Sequence, residues 1–103
     1  GGSGVIVQKG GAQAESLGDL LTLKVFPNPT DGFVYLIPSN YEGAKDFKVS
    51  VFDLSGKLMK EKDLVNLTSG EGSGLELSEF AAGVYTIRIS TGNRTATERV
   101  ILK

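Results

Sequence analysis

The chain has 103 residues, of which 40% are apolar and 22% charged, and its net charge is −1. This length fits one domain with one modest core, and the composition is that of a soluble globular protein. Because cysteine and histidine are both absent, disulfides, thiol and Ser-His-Asp catalysis, and thiolate or imidazole metal sites are excluded. The mixed charges favour neither nucleic acid nor a membrane surface as a partner.

Residues 1–20 are predicted to be a linker ahead of a domain at 21–103. Gly1-Gly2-Ser3-Gly4 is typical of a cloning remnant, and the following residues keep neither hydrophobic period. Val5–Gln8 could pair as an edge strand, and Glu15–Leu21 could form one helical turn. No early apolar run is long enough for a signal peptide, so we expect any export signal to lie in a longer precursor.

The first two predicted strands flank a proline-rich turn. Leu21, Leu23 and Val25 alternate with polar residues and therefore share one buried face. Phe33–Ile37 is apolar at every position, which predicts a strand buried on both faces. It is expected to end at Pro38, which has no N–H for a ladder.

The turn between these strands, Pro27–Gly32, is predicted to be a rigid connection. Pro27 and Pro29 fix φ at alternate positions, and Gly32 permits the positive φ with which the chain re-enters the sheet. Three short side chains of this turn have oxygens that can cap the backbone groups beside the prolines. They belong to Asn28, Thr30 and Asp31.

A third strand is predicted at Phe47–Phe52 and is followed by a tight turn at Asp53–Gly56. Asp53 can accept hydrogen bonds from backbone N–H groups that follow it, and Gly56 can supply positive φ. Lys57–Lys62 is the expected hairpin partner. The remaining elements are a polar loop at Ser39–Asp46, a short strand at Leu64–Leu67, a flexible loop at Ser69–Gly74, an extended piece at Leu75–Leu77, and a hairpin of Val84–Ser90 with Thr95–Leu102.

The segment before Tyr85 is typical of a tyrosine corner, in which the hydroxyl bonds to the backbone a few residues upstream. Tyr85 alternates in register with Ile87 and Ile89, so its ring is predicted to point inward. With about seven short strands, turn signals between them and no long helix, the chain is predicted to be an antiparallel β-sandwich.

No catalytic site, cofactor site or metal site is predicted. The acidic residues lie in turns or on polar strand faces, where solvation explains them, and no D-x-D-x-D-G run offers calcium a loop. No pair stands out among the carboxylates that could act together in catalysis, which are those of Asp31, Asp53, Glu71, Glu76, Glu79 and Glu98.

Four motifs in the order and spacing found here resemble the type A C-terminal sorting domain of the bacterial type IX secretion system, over about 80 residues from Leu21 to the end. Val25–Gly32 resembles its PNPxxG signature, and Val51–Lys57 resembles its D-x-x-G-K/R turn. Phe80–Tyr85 is similar to L-x-x-G-x-Y with Phe for Leu, and Arg99–Lys103 to the closing K-[VI]-[VIL] strand with Arg for Lys.

The resemblance implies an immunoglobulin-like sandwich that acts as a secretion signal rather than as an enzyme. It implies passage through the periplasm of a Gram-negative bacterium of the Bacteroidota to the cell surface or the medium. The implied partners are the outer-membrane translocon, shuttle and sortase proteins of the type IX system, without nucleic acid or a small-molecule substrate. The sortase usually removes the domain, and Gly10–Leu20 is the expected region of the cut. The resemblance identifies the following motif residues: Pro27, Asn28, Pro29, Gly32, Asp53, Gly56, Lys57, Gly83, Tyr85, Arg99 and Lys103.

Two expectations concern how such a domain is recognised. An edge strand at the end of the chain would expose unpaired N–H and C=O groups, and Arg99 and Lys103 on one side of it are expected to contact the translocation machinery. The alternative function is a carbohydrate-binding or adhesion module of a secreted protein. It requires a row of exposed aromatic side chains, for which the candidates are Tyr41 and Phe52, since tryptophan is absent. The sequence predicts no oligomeric state.

Overall fold

Seven strands in two antiparallel sheets make up the computed structural model, which describes residues 21–39, 46–65, 67 and 72–103. One sheet has the strand order β1-β2-β5 and the other β4-β3-β6-β7. No helix occurs within the described ranges, so the all-β prediction is confirmed. The strands are β1 Thr22–Phe26, β2 Phe33–Ser39, β3 Phe47–Phe52, β4 Leu58–Leu64, β5 Ser73–Glu76, β6 Gly83–Thr91 and β7 Arg94–Leu102.

The core lies between the two sheets and is built from alternate residues of each strand. Because successive side chains of a strand point to opposite faces, one face of each strand is apolar and buried. Leu36, Val49 and Ile87 are completely buried, and Tyr85 is 6% exposed. The period-two prediction for Leu21, Leu23 and Val25 and for the Tyr85 strand is therefore confirmed.

The prediction that β2 is buried on both faces is wrong. Val34 and Leu36 point into the core, but Phe33 and Tyr35 on the other face are 43% and 47% exposed. The three-stranded sheet is covered on one side, so its outer face remains in contact with solvent. A continuous apolar run cannot reveal which of its faces is covered.

Pro38 does not end β2, which continues to Ser39. Pro38 pairs with Leu23 of β1, whereas the pairing of β2 with β5 stops at Leu36. Among the described residues, β2 beyond Leu36 therefore has a hydrogen-bonded neighbour on the β1 side only, and proline is tolerated at such an edge position.

The boundaries of the later strands also differ from expectation, β6 by one residue at both ends and β7 by one residue at its start. Ser73 and Gly74 belong to β5 rather than to a loop, because they pair with β2. The partner of β3 runs over Leu58–Leu64, and Val65 and Leu67 lie outside any strand. The expectations for Val5–Gln8 and residues 15–20, the loop at residues 40–45, and Tyr41 fall outside the described residues.

The outer face of the three-stranded sheet carries an aromatic row formed by Phe26, Tyr35 and Phe33. The ring centroids of Phe26 and Tyr35 are 5.8 Å apart, and those of Tyr35 and Phe33 are 5.1 Å apart with the rings edge to face. The Phe33 ring also covers Gly74, where a Cβ atom would overlap it. The Phe33 ring thus fills the space on β5 that is open because Gly74 has no side chain.

Candidate functional site

The proline turn Pro27–Gly32, which we call the strap, leaves the three-stranded sheet and lies along the outer edge of β7. The Asn28 side chain acts there as a substitute peptide group. Its Nδ2 donates to the carbonyl oxygen of Arg99, and its Oδ1 accepts from the N–H of Ile101, both at 2.9 Å. One amide side chain thereby caps two backbone groups of the terminal strand.

Thr30 continues this contact with its own backbone. Its N–H donates to the Ile101 carbonyl, and its carbonyl accepts from the Lys103 N–H, each at 2.9 Å. These bonds form a parallel bridge between Thr30 and Leu102. The expectation that the terminal strand presents unpaired groups is therefore wrong from the Arg99 carbonyl onward, because the strap occupies that edge.

Inside the strap, local capping is confirmed for Thr30 but not for Asn28. The Thr30 hydroxyl donates to the Phe33 carbonyl at 2.7 Å and accepts from the Gly32 N–H at 3.1 Å. Asn28 instead reaches across 71 and 73 residues of sequence. Gly32 (φ 154°) allows a close approach, since a Cβ there would lie 2.9 Å from the Ser78 Cβ atom.

The outer face of β7 presents the side chains expected to meet a partner. Arg99, Ile101 and Lys103 are exposed on one face, while Val100 and Leu102 are buried on the other. The Lys103 Nζ lies 3.5 Å from the Asp31 Oδ1, with the two side chains 60% and 90% exposed. Such an exposed pair contributes little stability, so Lys103 remains accessible to a partner.

Asp53 organises the turn between β3 and β4 as predicted. Its Oδ1 accepts from the Ser55 hydroxyl at 2.7 Å and from the backbone N–H groups of Ser55 and Lys57 at 2.9 Å. Gly56 follows with φ of 91°, the left-handed region that glycine occupies without strain. The Ser55 hydroxyl above all, then the Lys57 N–H, hold the pKa of Asp53 below its ordinary value, against a smaller opposing effect of desolvation.

The tyrosine corner is confirmed. The Tyr85 hydroxyl donates to the Ala81 carbonyl at 2.6 Å, four residues upstream. The Phe80 ring lies against Tyr85 with centroids 5.8 Å apart. Gly83 starts β6 and pairs with Leu102, so this corner lies directly beside the terminal strand.

All four sequence motifs lie at one end of the sandwich, which we call the motif end. Phe52, at the end of β3, pairs with Thr86 near the start of β6, which pairs with Arg99 near the end of β7. The strap lies beside β7 at this same end, on the side away from β6. The Asp53 turn is about three strand spacings, roughly 15 Å, from the strap, so the two share an end without touching.

The opposite end of the four-stranded sheet holds an open depression of about 460 Å³, whose lining includes Lys48, Asp63 and Gly92. Within the described ranges, acidic residues form no group of three suited to a metal ion. No helix there is long and apolar enough to cross a bilayer. Glu71 falls outside the described residues.

Replacing Asn28 with alanine should lower the free energy of unfolding by about 1–2 kcal/mol, because two hydrogen bonds to β7 are lost. The change should appear in urea denaturation, with faster amide exchange at Ile101. Asn28→Asp is the matched variant, since it keeps an acceptor for Ile101 but faces the Arg99 carbonyl with a second acceptor. Unchanged unfolding and exchange in Asn28→Ala would show that the strap is held by Thr30 alone.

Asp53→Asn should destabilise the domain at neutral pH and much less in acid. A carboxylate whose pKa is lowered on folding stabilises the folded state above its ordinary pKa, and this contribution is lost as pH falls through the folded-state value. Thermal melting of both proteins between neutral pH and about pH 3 would measure this convergence. A difference independent of pH would instead assign the effect to hydrogen-bond geometry without charge.

Comparison with known structures supports the architecture. The chain is similar to a DUF3244 family protein from Bacteroides vulgatus, whose crystal structure has an immunoglobulin-like β-sandwich fold. The TM-score is 0.60 at 17% identity, over 79% of this chain and 83% of that one. At this identity the likeness concerns the fold alone, and the immunoglobulin-like sandwich is thereby confirmed. No curated protein matches the chain.

A family model described as the secretion system C-terminal sorting domain matches residues 24–103. The match begins within β1 and includes the strap, the Asp53 turn, the tyrosine corner and the terminal strand. It therefore spans every element that meets at the motif end. The chain belongs to the C-terminal sorting domain family of the type IX secretion system.

Proposed function

We propose that this domain directs the protein to which it is attached through the outer membrane, and that the outer face of β7 at the motif end is what the translocation machinery reads. The family acts with the type IX secretion machinery and is non-catalytic in general, and its carriers are secreted or cell-surface proteins. The observation that carries the proposal is the alignment of Arg99, Ile101 and Lys103 on one exposed face beside the strap.

The strap decides which part of the terminal strand is available. Since Asn28 and Thr30 occupy the backbone groups of Ile101, a partner at this position meets side chains rather than a free ladder. Two cations that flank an exposed isoleucine fit a surface that is acidic around an apolar centre. We assign that surface to the translocon or to its shuttle protein.

In this proposal the carrier crosses the periplasm before outer-membrane export, and a sortase then cuts upstream of the domain, in residues 10–20. A cut there would separate the domain without breaking β1, which begins at Thr22. The sandwich would thus leave as an intact unit. Its partners are proteins only, with no cofactor.

Charge reversal tests the proposal better than truncation does. Deleting residues 99–103 would also remove Val100 and Leu102, which are 0% and 3% exposed in the core, so lost export could reflect lost folding. Arg99→Glu with Lys103→Glu leaves the core and the strap bonds to the β7 backbone in place.

A reporter carrying the 103-residue chain at its C-terminus should be exported by a host with a type IX system. The double charge reversal should reduce the secreted fraction at least about tenfold, because like charges at an interface cost several kcal/mol. Lys24→Glu with Lys48→Glu is the control, since both lysines are exposed elsewhere on the sheets. Equal export of both double variants, with matched melting temperatures, would contradict the assignment of this face.

A second candidate function is carbohydrate binding by the aromatic row. This function requires adjacent exposed rings, which Phe26, Tyr35 and Phe33 supply. Of the two expected candidates, Tyr41 lies outside the described residues. Phe52 is half-buried, and the Arg88 guanidinium lies 4.9 Å from its ring centroid. The negative face of an aromatic ring attracts the C–H groups of a sugar ring.

Affinity electrophoresis of the chain through gels containing xylan or laminarin tests this candidate. If the row binds sugars, the chain should be retarded, and Tyr35→Ala with Phe33→Ala should migrate freely. Leu54→Ala is the control, since Leu54 is apolar and 73% exposed but lies in the turn between β3 and β4 of the other sheet. Free migration of the unaltered chain in both gels would leave the row a purely structural cover for Gly74.

A further inference from the structure

The outer edge of β7 is divided into two parts that differ in their backbone bonding. The backbone groups of Ile101 and Lys103 point away from β6, toward the strap. Because this direction alternates along an antiparallel strand, the backbone groups of Thr95 and Thr97 and the N–H of Arg99 point the same way. β7 is the last strand of its sheet, and the strap ends its contact at the Arg99 carbonyl.

The stretch from Thr95 to the Arg99 N–H, which we call the bare edge, therefore offers five backbone groups in one row. Three are donors and two are acceptors, spaced as in a ladder. The exposed side chains there are those of Thr95, Thr97 and Glu98. Threonine favours extended structure, and the stretch contains neither proline nor a bulge. Its one charged side chain, that of Glu98, lies on the side of Val100, so the outward side between Thr95 and Thr97 carries no charge.

The other described edges carry features that discourage strand addition. On β5, the carbonyls of Gly74 and Glu76 accept from the Nζ atoms of Lys62 and Lys60, at 3.0 and 2.7 Å. These two lysines extend from β4 of the opposite sheet, so the four-stranded sheet shields β5 on this side. Long charged side chains at an edge oppose pairing with another chain.

The two remaining edges are protected in other ways. β4 has four consecutive charged residues, 60–63, and its pairing with β3 is irregular beside Phe52. β1 has five residues with an exposed lysine, Lys24, at its centre. Charges, irregularity and short length all blunt an edge. In β7 the outward side of the stretch from Thr95 to Thr97 has neither a charged side chain nor an irregularity.

We propose that the bare edge is a docking line at which an extended segment of a partner protein adds to the four-stranded sheet as its next strand. The proposal rests on the proposed function and identifies the partner as the export machinery. A row of alternating N–H and C=O groups is complementary to another polypeptide backbone. It offers a sugar or a lipid no comparable match.

The strap supports this choice of occupant because it already uses the same edge in the same way. Asn28 and Thr30 supply a strand-like partner to Ile101 and Lys103. A segment seated on Thr95 and Thr97 would continue that row and end at Asn28. The strap then sets the register of the added strand, and Arg99 lies where the two meet.

Proline at position 97 tests the docking line directly. The Thr97 N–H points away from β6, so Thr97→Pro removes one outward donor without breaking a bond within the sheet. Thr97→Val keeps that donor and the branched shape. We expect the reporter with Thr97→Val to be exported like the unaltered fusion, and Thr97→Pro to reduce the secreted fraction severalfold, with circular dichroism and melting of the purified chain unchanged.

The outcomes separate this proposal from the proposed function. If the unaltered fusion is exported and a folded Thr97→Pro is exported equally, the docking line is wrong and the sorting function stands. If the unaltered fusion is not exported, the sorting function itself fails. Should Thr97→Pro not fold, Thr95→Pro removes the neighbouring outward donor and is judged in the same way. A chain that sediments as a dimer, and as a monomer with Thr97→Pro, would assign the edge to a second copy and overturn the proposal.

Discussion

The contact between the strap and the terminal strand is the interaction on which the organisation of the motif end depends. Asn28 and Thr30 together satisfy four backbone groups of β7, in a position where an edge strand would otherwise expose them to water or to another chain. Without the strap, the last residues of β7 would be held on one side by β6 alone. A strand fixed on both sides presents its outward side chains in a defined register, which a recognition surface needs.

Each sheet covers part of an edge strand of the other sheet. The strap leaves the three-stranded sheet to cover part of β7, and Lys60 and Lys62 leave the four-stranded sheet to cover β5. An immunoglobulin-like sandwich has four edges, and each open one favours unwanted association. The bare edge of β7 is a short stretch that neither the strap nor a lysine side chain covers, and in this it differs from the rest of β7 and from β5.

The sequence predicts those features that depend on neighbours along the chain. Alternation located the inward side of β1, β6 and β7, and the Asp53 turn and the Tyr85 corner are each closed by bonds spanning four residues or fewer. Features set by distant segments could not be predicted. The partners of Asn28 are 71 and 73 residues away, and the exposure of Phe33 depends on which face of the sheet is covered. The tolerance of Pro38 depends on how far β5 extends.

The alternation of β7 makes the proposed signal dependent on folding. Val100 and Leu102 anchor the strand in the core, and this packing places Arg99, Ile101 and Lys103 together on the outside. In an unfolded chain the same residues have no common face, because rotation about the φ and ψ bonds changes their relative directions. The contact with the strap is a second feature that only the folded domain has, because it joins residues near the start of the domain to the terminal strand. A partner that reads this face therefore distinguishes a folded domain from an unfolded one, even though its residues occupy only the last five positions of the sequence.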